Sequence, residues 1–451
     1  MEFQLDSGNT AWIITASALV LLMTPGLAFF YGGMVRGKSV LNMMMMSFGA
    51  IGLVGLIWIL YGYSGAFGSD IGGVVGNPLD YFGLNAITDA ESLMAGSGVP
   101  ALVAATFQAT FAIITVALIS GVAADRMKFS AWMVFAGIWA TFVYVPMAHM
   151  VWGGGLLGAD GITSGIATPI DFAGGTVVHI NAGVAGLVLA IALGKRKGFG
   201  TEPMRPHNLP FVMLGAALLW FGWFGFNAGS EAAADGTAGR AWLNTLLATG
   251  VAMLAWLLTE KVRDGHATSL GAASGVVAGL VAITPAAAAV DTYGAIAIGA
   301  VAGIVCALAI GLKYKLGYDD SLDVVGVHLV GGLTGTVLVG LFSHVGDDVN
   351  GTWIPDGAKN GLFYGGGADQ LLSQIIAAVF AIAFSAVLTA VIAYALKAVM
   401  GLRVTEDVEV GGIDLAVHGE SAYETLGATR IRSVEAPVTS GATRATTEVK
   451  A

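Results

Sequence analysis

Eleven times along this chain an apolar run long enough to cross a lipid bilayer recurs, and nothing else in the sequence limits the fold as strongly. The runs lie at 10–34, 41–65, 98–123, 131–153, 173–194, 208–229, 240–260, 267–285, 291–312, 325–343 and 370–399. Lipid offers no partner to a backbone N–H or C=O, so runs of about 20 residues must close their hydrogen bonds internally as α-helices. The expected fold class is therefore an all-α polytopic membrane protein with 11 transmembrane helices. Composition agrees: 56% of the 451 residues are hydrophobic, only 11% are charged, and mean hydropathy is +0.78, which excludes a soluble globular domain. The net charge of -10 is confined to loops and tail and indicates no nucleic-acid partner. The single cysteine, Cys306, lies in an apolar run, so no internal disulfide forms. The 66 glycines suit helices whose backbones approach closely.

Loop charges orient the runs. Arg36 and Lys38, Arg126 and Lys128, Lys195 to Lys197 with Arg205, Lys261 and Arg263, Lys313 and Lys315, and Lys397 and Arg403 follow the odd-numbered runs. The alternate loops carry only Arg240 and Lys359, against acids such as Asp70, Asp80, Asp89, Glu91, Asp347 and Asp348. The positive-inside rule then places the N-terminus outside and the C-terminus in the cytoplasm, and only an odd number of spans fits. The start, Met-Glu-Phe-Gln-Leu-Asp, lacks the positive region of a signal peptide, so the first run is expected to be retained. Residues 1–400 read as the transmembrane domain and 401–451 as a polar cytoplasmic tail, its end (about 434–451) disordered.

Two histidines sit deep in these runs, His179 in the fifth and His328 in the tenth. Both read His-x-x-x-Gly-x-x-Gly with an Asp upstream, Asp171 for the first and Asp323 for the second. An ionisable group at membrane depth is costly and by default marks a pathway or a site. One histidine per five-run half implies an inverted 5+5 repeat plus one C-terminal helix, with the two rings meeting near the midplane. The plain alternative for each is a buried histidine satisfied by backbone. A metal pair lacks support, because zinc wants three or four ligands at recognisable spacing and there is no His-Glu-x-x-His. Asp171 reads as a helix cap that also places negative charge near the outer end of a pathway. Of the aromatics, Phe107, Phe111, Trp152, Trp220, Trp223 and Phe226 would each pass for core or membrane-belt packing. Spacing adds something: Phe226 and Ser230 are i and i+4, one turn apart on one face. An aromatic face with a hydroxyl oxygen above it suits a small desolvated cation.

These strings resemble the ammonium transporter family, of the Amt/Mep/Rh type, over nearly the whole chain. The resemblance rests on Pro25-Gly-Leu-Ala-Phe-Phe-Tyr31-Gly-Gly-Met-Val-Arg36-Gly-Lys38, Phe107-Gln-Ala-Thr-Phe111, Ala148-His-Met-Val-Trp152, the string from Asp171 through His179, Gly222-Trp-Phe-Gly-Phe226-Asn-Ala-Gly-Ser230, and Asp323-Val-Val-Gly-Val-His328. Trp152 and Ser230 together favour the bacterial Amt branch. The resemblance implies an outer ammonium site of Phe111, Trp152 and Ser230, a gate of Phe111 and Phe226, and twin pore histidines, His179 and His328. It implies Asp171 supporting the outer site and Trp223 lining the pore. It also implies a homotrimer in the cell membrane, ammonium as cargo with methylammonium as a further candidate, no cofactor, and a tail that packs beneath the trimer and meets a PII-type signalling protein. The stretch Gly158 to Thr168 resembles an insertion in the loop between Trp152 and Asp171. The expected mechanism is capture of ammonium outside, loss of its proton near the gate, and passage of ammonia through an apolar pore; whether the proton crosses separately is left open by the sequence. An ammonium sensor signalling through its tail is the alternative; a membrane enzyme finds no nucleophile, cofactor or metal motif to support it.

Overall fold

The computed structural model describes residues 3–344 and 354–423; the expected disorder at 434–451 lies outside the described residues. Among the described residues eleven helices are long and apolar enough to cross a membrane: α1 Ser7–Met34, α2 Val40–Phe67, α3 Ala101–Ala123, α4 Phe129–Trp152, α5 Gly175–Leu193, α6 Leu209–Gly229, α7 Gly236–Asp264, α8 Ser269–Ala286, α9 Thr292–Leu316, α10 Val325–Phe342 and α11 Asp369–Val399. All eleven expected runs are found, each within about five residues of its expected ends. Eleven crossings put the N-terminus and the tail on opposite sides, called here the N-terminal side and the tail side. The outward faces keep apolar side chains exposed, such as Leu254, Leu258, Ile304, Leu308 and Val391, as a lipid-facing surface requires.

Glycine decides where helices touch. On α6, an added Cβ at Gly215 would lie 2.2 Å from Phe30 N, and one at Gly222 would lie 2.4 Å from the Met23 side chain, so α1 and α6 run together at backbone contact. The same holds where α5 crosses α10. A Cβ on Gly183 would sit 2.4 Å from Leu329 N, and one on Gly332 would sit 3.1 Å from Ile180 N and 2.9 Å from the His179 Cβ. Gly183 is His179 plus four and Gly332 is His328 plus four, so each repeat's glycine receives the residue following the other repeat's histidine. That reciprocity gives the shared motif its physical meaning. The helices α1 and α6, and α5 and α10, stand five spans apart in chain order, as the expected 5+5 repeat requires.

The eleventh helix closes the back of this crossing. Ser385 donates to the Asn181 carbonyl at 3.0 Å, Trp139 Nε1 donates to Thr389 Oγ1 at 2.9 Å, and Gln374 Nε2 donates to the Ile170 and Thr336 carbonyls at 2.9 and 3.1 Å. On the N-terminal side a short hairpin, β1 Asp70–Ile71 with β2 Val75–Gly76, follows α2. The loop after Trp152, expected as an insertion, is a string of turns that rejoins the body through Thr168, whose N–H and hydroxyl donate to the carbonyls of Gly357 and Asp356 at 3.1 and 2.6 Å. On the tail side α12, Glu406–Gly411, lies against the loops after α1 and α5, and the residues just before it lie against the loop after α3. Lys128 N donates to Leu402 O and Val404 N to Arg126 O, while the Asp414 carboxylate accepts from Leu41 N and Asn42 N at 3.0 and 2.8 Å, capping the start of α2.

Candidate functional site

Both histidines stand in π-helical turns, Gly175–Ile180 at the head of α5 and Val325–Leu329 at the head of α10. A single wide turn inside an α-helix re-aims a side chain and frees a carbonyl, which is why such turns concentrate at working sites. Here the two wide turns bring His179 and His328 face to face: ring centroids are 5.5 Å apart and the two Nδ1 atoms 3.4 Å apart. Both side chains are buried. One ring must donate at Nδ1 and the other accept, which leaves one Nε2 an acceptor and the other a donor. His179 Nε2 has no protein partner. The space around the pair is about 10 Å³, walled by Met23, Leu27, Ile114, Leu118 and Val277 among others. That is room for about one molecule the size of water. Trp223 stacks on His179 at 5.4 Å and is held there by its Nε1–H, which donates to Thr284 Oγ1 at 2.9 Å.

Above His179, Phe226 lies 6.2 Å away and stacks on Phe111 at 4.1 Å and 20°. This aromatic pair separates the histidines from a wider cavity of about 320 Å³ open to the N-terminal side. Phe111, Trp152 and Ser230 all line that cavity. Trp152 meets Phe111 edge-on at 6.1 Å. Ser230 Oγ donates to the Phe226 carbonyl at 2.8 Å, so its lone pairs remain available to a donor in the cavity. The structure thus brings together every residue expected at the outer site, the gate and the pore. Gln108 also lines the cavity, one turn before Phe111, and its Oε1 is a buried acceptor with no hydrogen-bond partner. The sequence placed it inside the Phe107–Phe111 string but attached no chemistry to it.

Asp171 caps the head of α5, as expected, but from outside the helix. It lies four residues before the helix and folds its carboxylate back over the helix head, accepting from Gly174 N, Gly175 N, Thr176 N and Val177 N and from the Thr176 hydroxyl. Burial pushes its carboxyl above the usual carboxylate range, opposed by those donors. Its backbone carbonyl accepts from Trp152 Nε1 at 3.0 Å, so Asp171 positions both the His179 helix and the cavity tryptophan. Its counterpart in the second half is Asp320 rather than Asp323. Asp320 accepts from Val324 N and Val325 N at 3.0 and 2.8 Å at the head of α10. The signal was in the register, because both aspartates stand eight residues before their histidines. Asp323 instead pairs with Lys313 at 2.5 Å. Among the described residues no cluster of three or more His, Cys, Asp or Glu could hold a metal ion.

Known proteins are similar to this chain in sequence and in fold. A sequence model described as Ammonium Transporter Family matches residues 11–423. An ammonium transporter of Mycobacterium tuberculosis is 58% identical over 435 residues, covering 93% of this chain and 91% of that protein. The crystal structure of Candida albicans Mep2 superposes with a TM-score of 0.81 at 34% identity, covering 90% of this chain and 88% of that one. The solved structure of a "Sensor Amt Protein" superposes with a TM-score of 0.80 at 28% identity, covering 91% of this chain and 98% of that one. By helix count, by fold and by identity across nearly its whole length, the chain belongs to the ammonium transporter family, a family of multi-pass plasma-membrane transporters and not of enzymes.

Proposed function

We propose that the protein takes up ammonium from the N-terminal side, that the ion gives its proton to water in the outer cavity at the Phe111–Phe226 gate, and that ammonia passes His179 and His328, the proton either returning outside or crossing separately. The observation that carries this reading is the order of environments: a cavity with cation-accepting faces, a closed aromatic pair, then a small space walled by apolar side chains and the two imidazoles. The faces of Trp152 and Phe111 attract a desolvated cation by roughly 2 kcal/mol, and Ser230 accepts one N–H. Carrying the ion itself into low dielectric costs far more, on the order of 20 kcal/mol before relaxation. A neutral molecule escapes that cost. Ammonia both donates and accepts, and the histidine pair offers one donor and one acceptor Nε2 to match it. A second proton on the pair would set two donors against each other across 3.4 Å.

The reading includes an N-terminus outside, a homotrimer with one pore per subunit, and residues 401–451 as a cytoplasmic regulatory tail that meets a PII-type protein. Supporting the last point, the described part of the tail is bound to three tail-side loops, with Glu409 accepting from Lys197 N at 2.7 Å and pairing with Arg403. Because a sensor shares the fold, the test must measure flux. Purified protein in a supported membrane receives an ammonium jump, with potassium as control. An ammonium-specific current supports transport with charge; internal alkalinisation without current supports a neutral ammonia pore; neither signal overturns transport in favour of sensing. His179→Ala should lower the rate or the discrimination against potassium, and retention of both would remove the histidines from the mechanism.

A further inference from the structure

His149 lies one turn before Trp152 on α4, fully buried, and both ring nitrogens have partners. Nδ1 is 3.0 Å from the Ala66 carbonyl and Nε2 is 2.8 Å from Asp70 Oδ1. A carbonyl cannot donate. The Asp70 carboxyl is half-exposed, and its bond to His149 holds it below the usual carboxylate range, so it is a carboxylate and cannot donate either. Two acceptors require two donors, and only the imidazolium supplies them.

The same contacts organise the chain beside the cavity. The His149 carbonyl accepts from Gly153 N at 2.9 Å and Gly155 N at 3.1 Å, forming the turn that ends α4 just past Trp152. Asp70 also accepts from Gly73 N at 2.8 Å, and the Gly73 carbonyl accepts from Leu156 N at 2.8 Å. The fit allows no side chain at the joint: a Cβ on Gly153 would lie 2.2 Å from Ala66 O and 2.7 Å from His149 Nδ1. The ring therefore joins the 70–76 hairpin to the turn after Trp152 from below, while Asp171 holds the indole from the other side.

We infer that His149 is a positioning residue of the outer cavity, a doubly donating, Asp70-paired ring that fixes Trp152 for cation capture. The inference rests on the proposed capture of ammonium at Trp152, but half of its test does not. Full-length protein carrying ¹⁵N-labelled histidine, in lipid at neutral pH, should show by solid-state NMR one ring with both nitrogens protonated. That signal should vanish in His149→Gln and convert to a singly protonated ring in Asp70→Asn, which keeps an acceptor but removes the charge. A singly protonated His149 in the wild type overturns the inference. In proteoliposomes both variants should raise the ammonium half-saturation constant roughly three- to thirtyfold, the effect of losing one or two buried hydrogen bonds, with maximal rate changed less than about twofold. An unchanged half-saturation constant, or a loss confined to maximal rate, would reduce His149 to a structural pin and overturn the positioning role. Asp70→Asn, altering a half-exposed side chain, keeps the test alive should His149→Gln fail to fold. A doubly protonated ring in a wild type without ammonium flux would sink the transport reading and leave the charge pair standing.

Discussion

A single methyl group on Gly183 should disable the pore without touching either imidazole. In the structure that Cβ would lie 2.4 Å from Leu329 N and 2.6 Å from both Leu329 Cα and Cβ. Ordinary contact for a Cβ begins near 3.4 Å, so α5 and α10 would have to part by about 1 Å, and the obstacle is backbone that cannot swing aside. Leu329 directly follows His328. The two Nδ1 atoms already stand 3.4 Å apart, at the outer limit of a hydrogen bond, and a further ångström breaks it. Overpacking of this kind costs about 1–3 kcal/mol, enough to lower thermal stability while leaving most molecules folded. Gly183→Ala should thus reach the membrane, unfold at a lower temperature, and lose most ammonium flux in proteoliposomes. Gly332→Ala, which meets His179 Cβ at 2.9 Å, should behave the same way. Gly250→Ala on α7 is the control, since a Cβ there meets nothing within 4 Å. If Gly183→Ala transports at the wild-type rate and with wild-type exclusion of potassium, the close crossing does not set the histidine pair and the reasoning fails.

Three further outcomes are expected. Ser230→Ala removes one acceptor from the cavity, worth about 0.5–1.5 kcal/mol, and should raise the half-saturation constant for ammonium two- to tenfold while the maximal rate holds, read by uptake at graded ammonium. On the tail side, burial alone would raise the Asp319 carboxyl, but Arg196, which reaches it through Nε and Nη2 at 2.9 Å each, holds it below the usual carboxylate range. A carboxyl lowered on folding contributes stability above its unfolded value and loses it as pH falls through the folded one; thermal unfolding of the wild type should therefore weaken below about pH 4, and Asp319→Asn should be less stable at neutral pH with a shallower acid limb. Asp414→Ala uncaps Leu41 N and Asn42 N, a change of about 1 kcal/mol, and limited proteolysis should cut the tail near 400–418 faster than in the wild type, with the transmembrane part intact; equal cutting rates would show the cap does not hold the tail.

Much of this protein was legible in the sequence because lipid simplifies the code. Apolar length alone gave eleven helices, and the two histidine strings gave the repeat, because a buried ionisable group and a run of glycines stand out against leucine and valine. The outer aromatics were legible only through spacing and family resemblance, since a phenylalanine at a gate and one in the core present the same letter. Two details escaped. Asp323 looked like the second-half counterpart of Asp171 because it is nearer to His328, yet a positive φ of 62° at that residue turns it toward Lys313, and Asp320 does the capping. Gln108 escaped because an amide inside an apolar helix carries no signal until its neighbours are known.

The sequence by itself determined the membrane class, the number and parity of spans, and the two residues per half, His and Gly four apart, that had to meet something. Only the tertiary structure decided what they meet. Periodicity of 3.6 residues aims His179 and His328 along ordinary helix faces, and nothing in the string announces that Gly175–Ile180 and Val325–Leu329 widen into π turns. The widened turns carry hydrogen bonds from Asp171 and Asp320 at their heads and backbone contact across Gly183 and Gly332. The aspartate bonds are local to each helix head, but the crossing at Gly183 and Gly332 joins the two halves and exists only once they are packed.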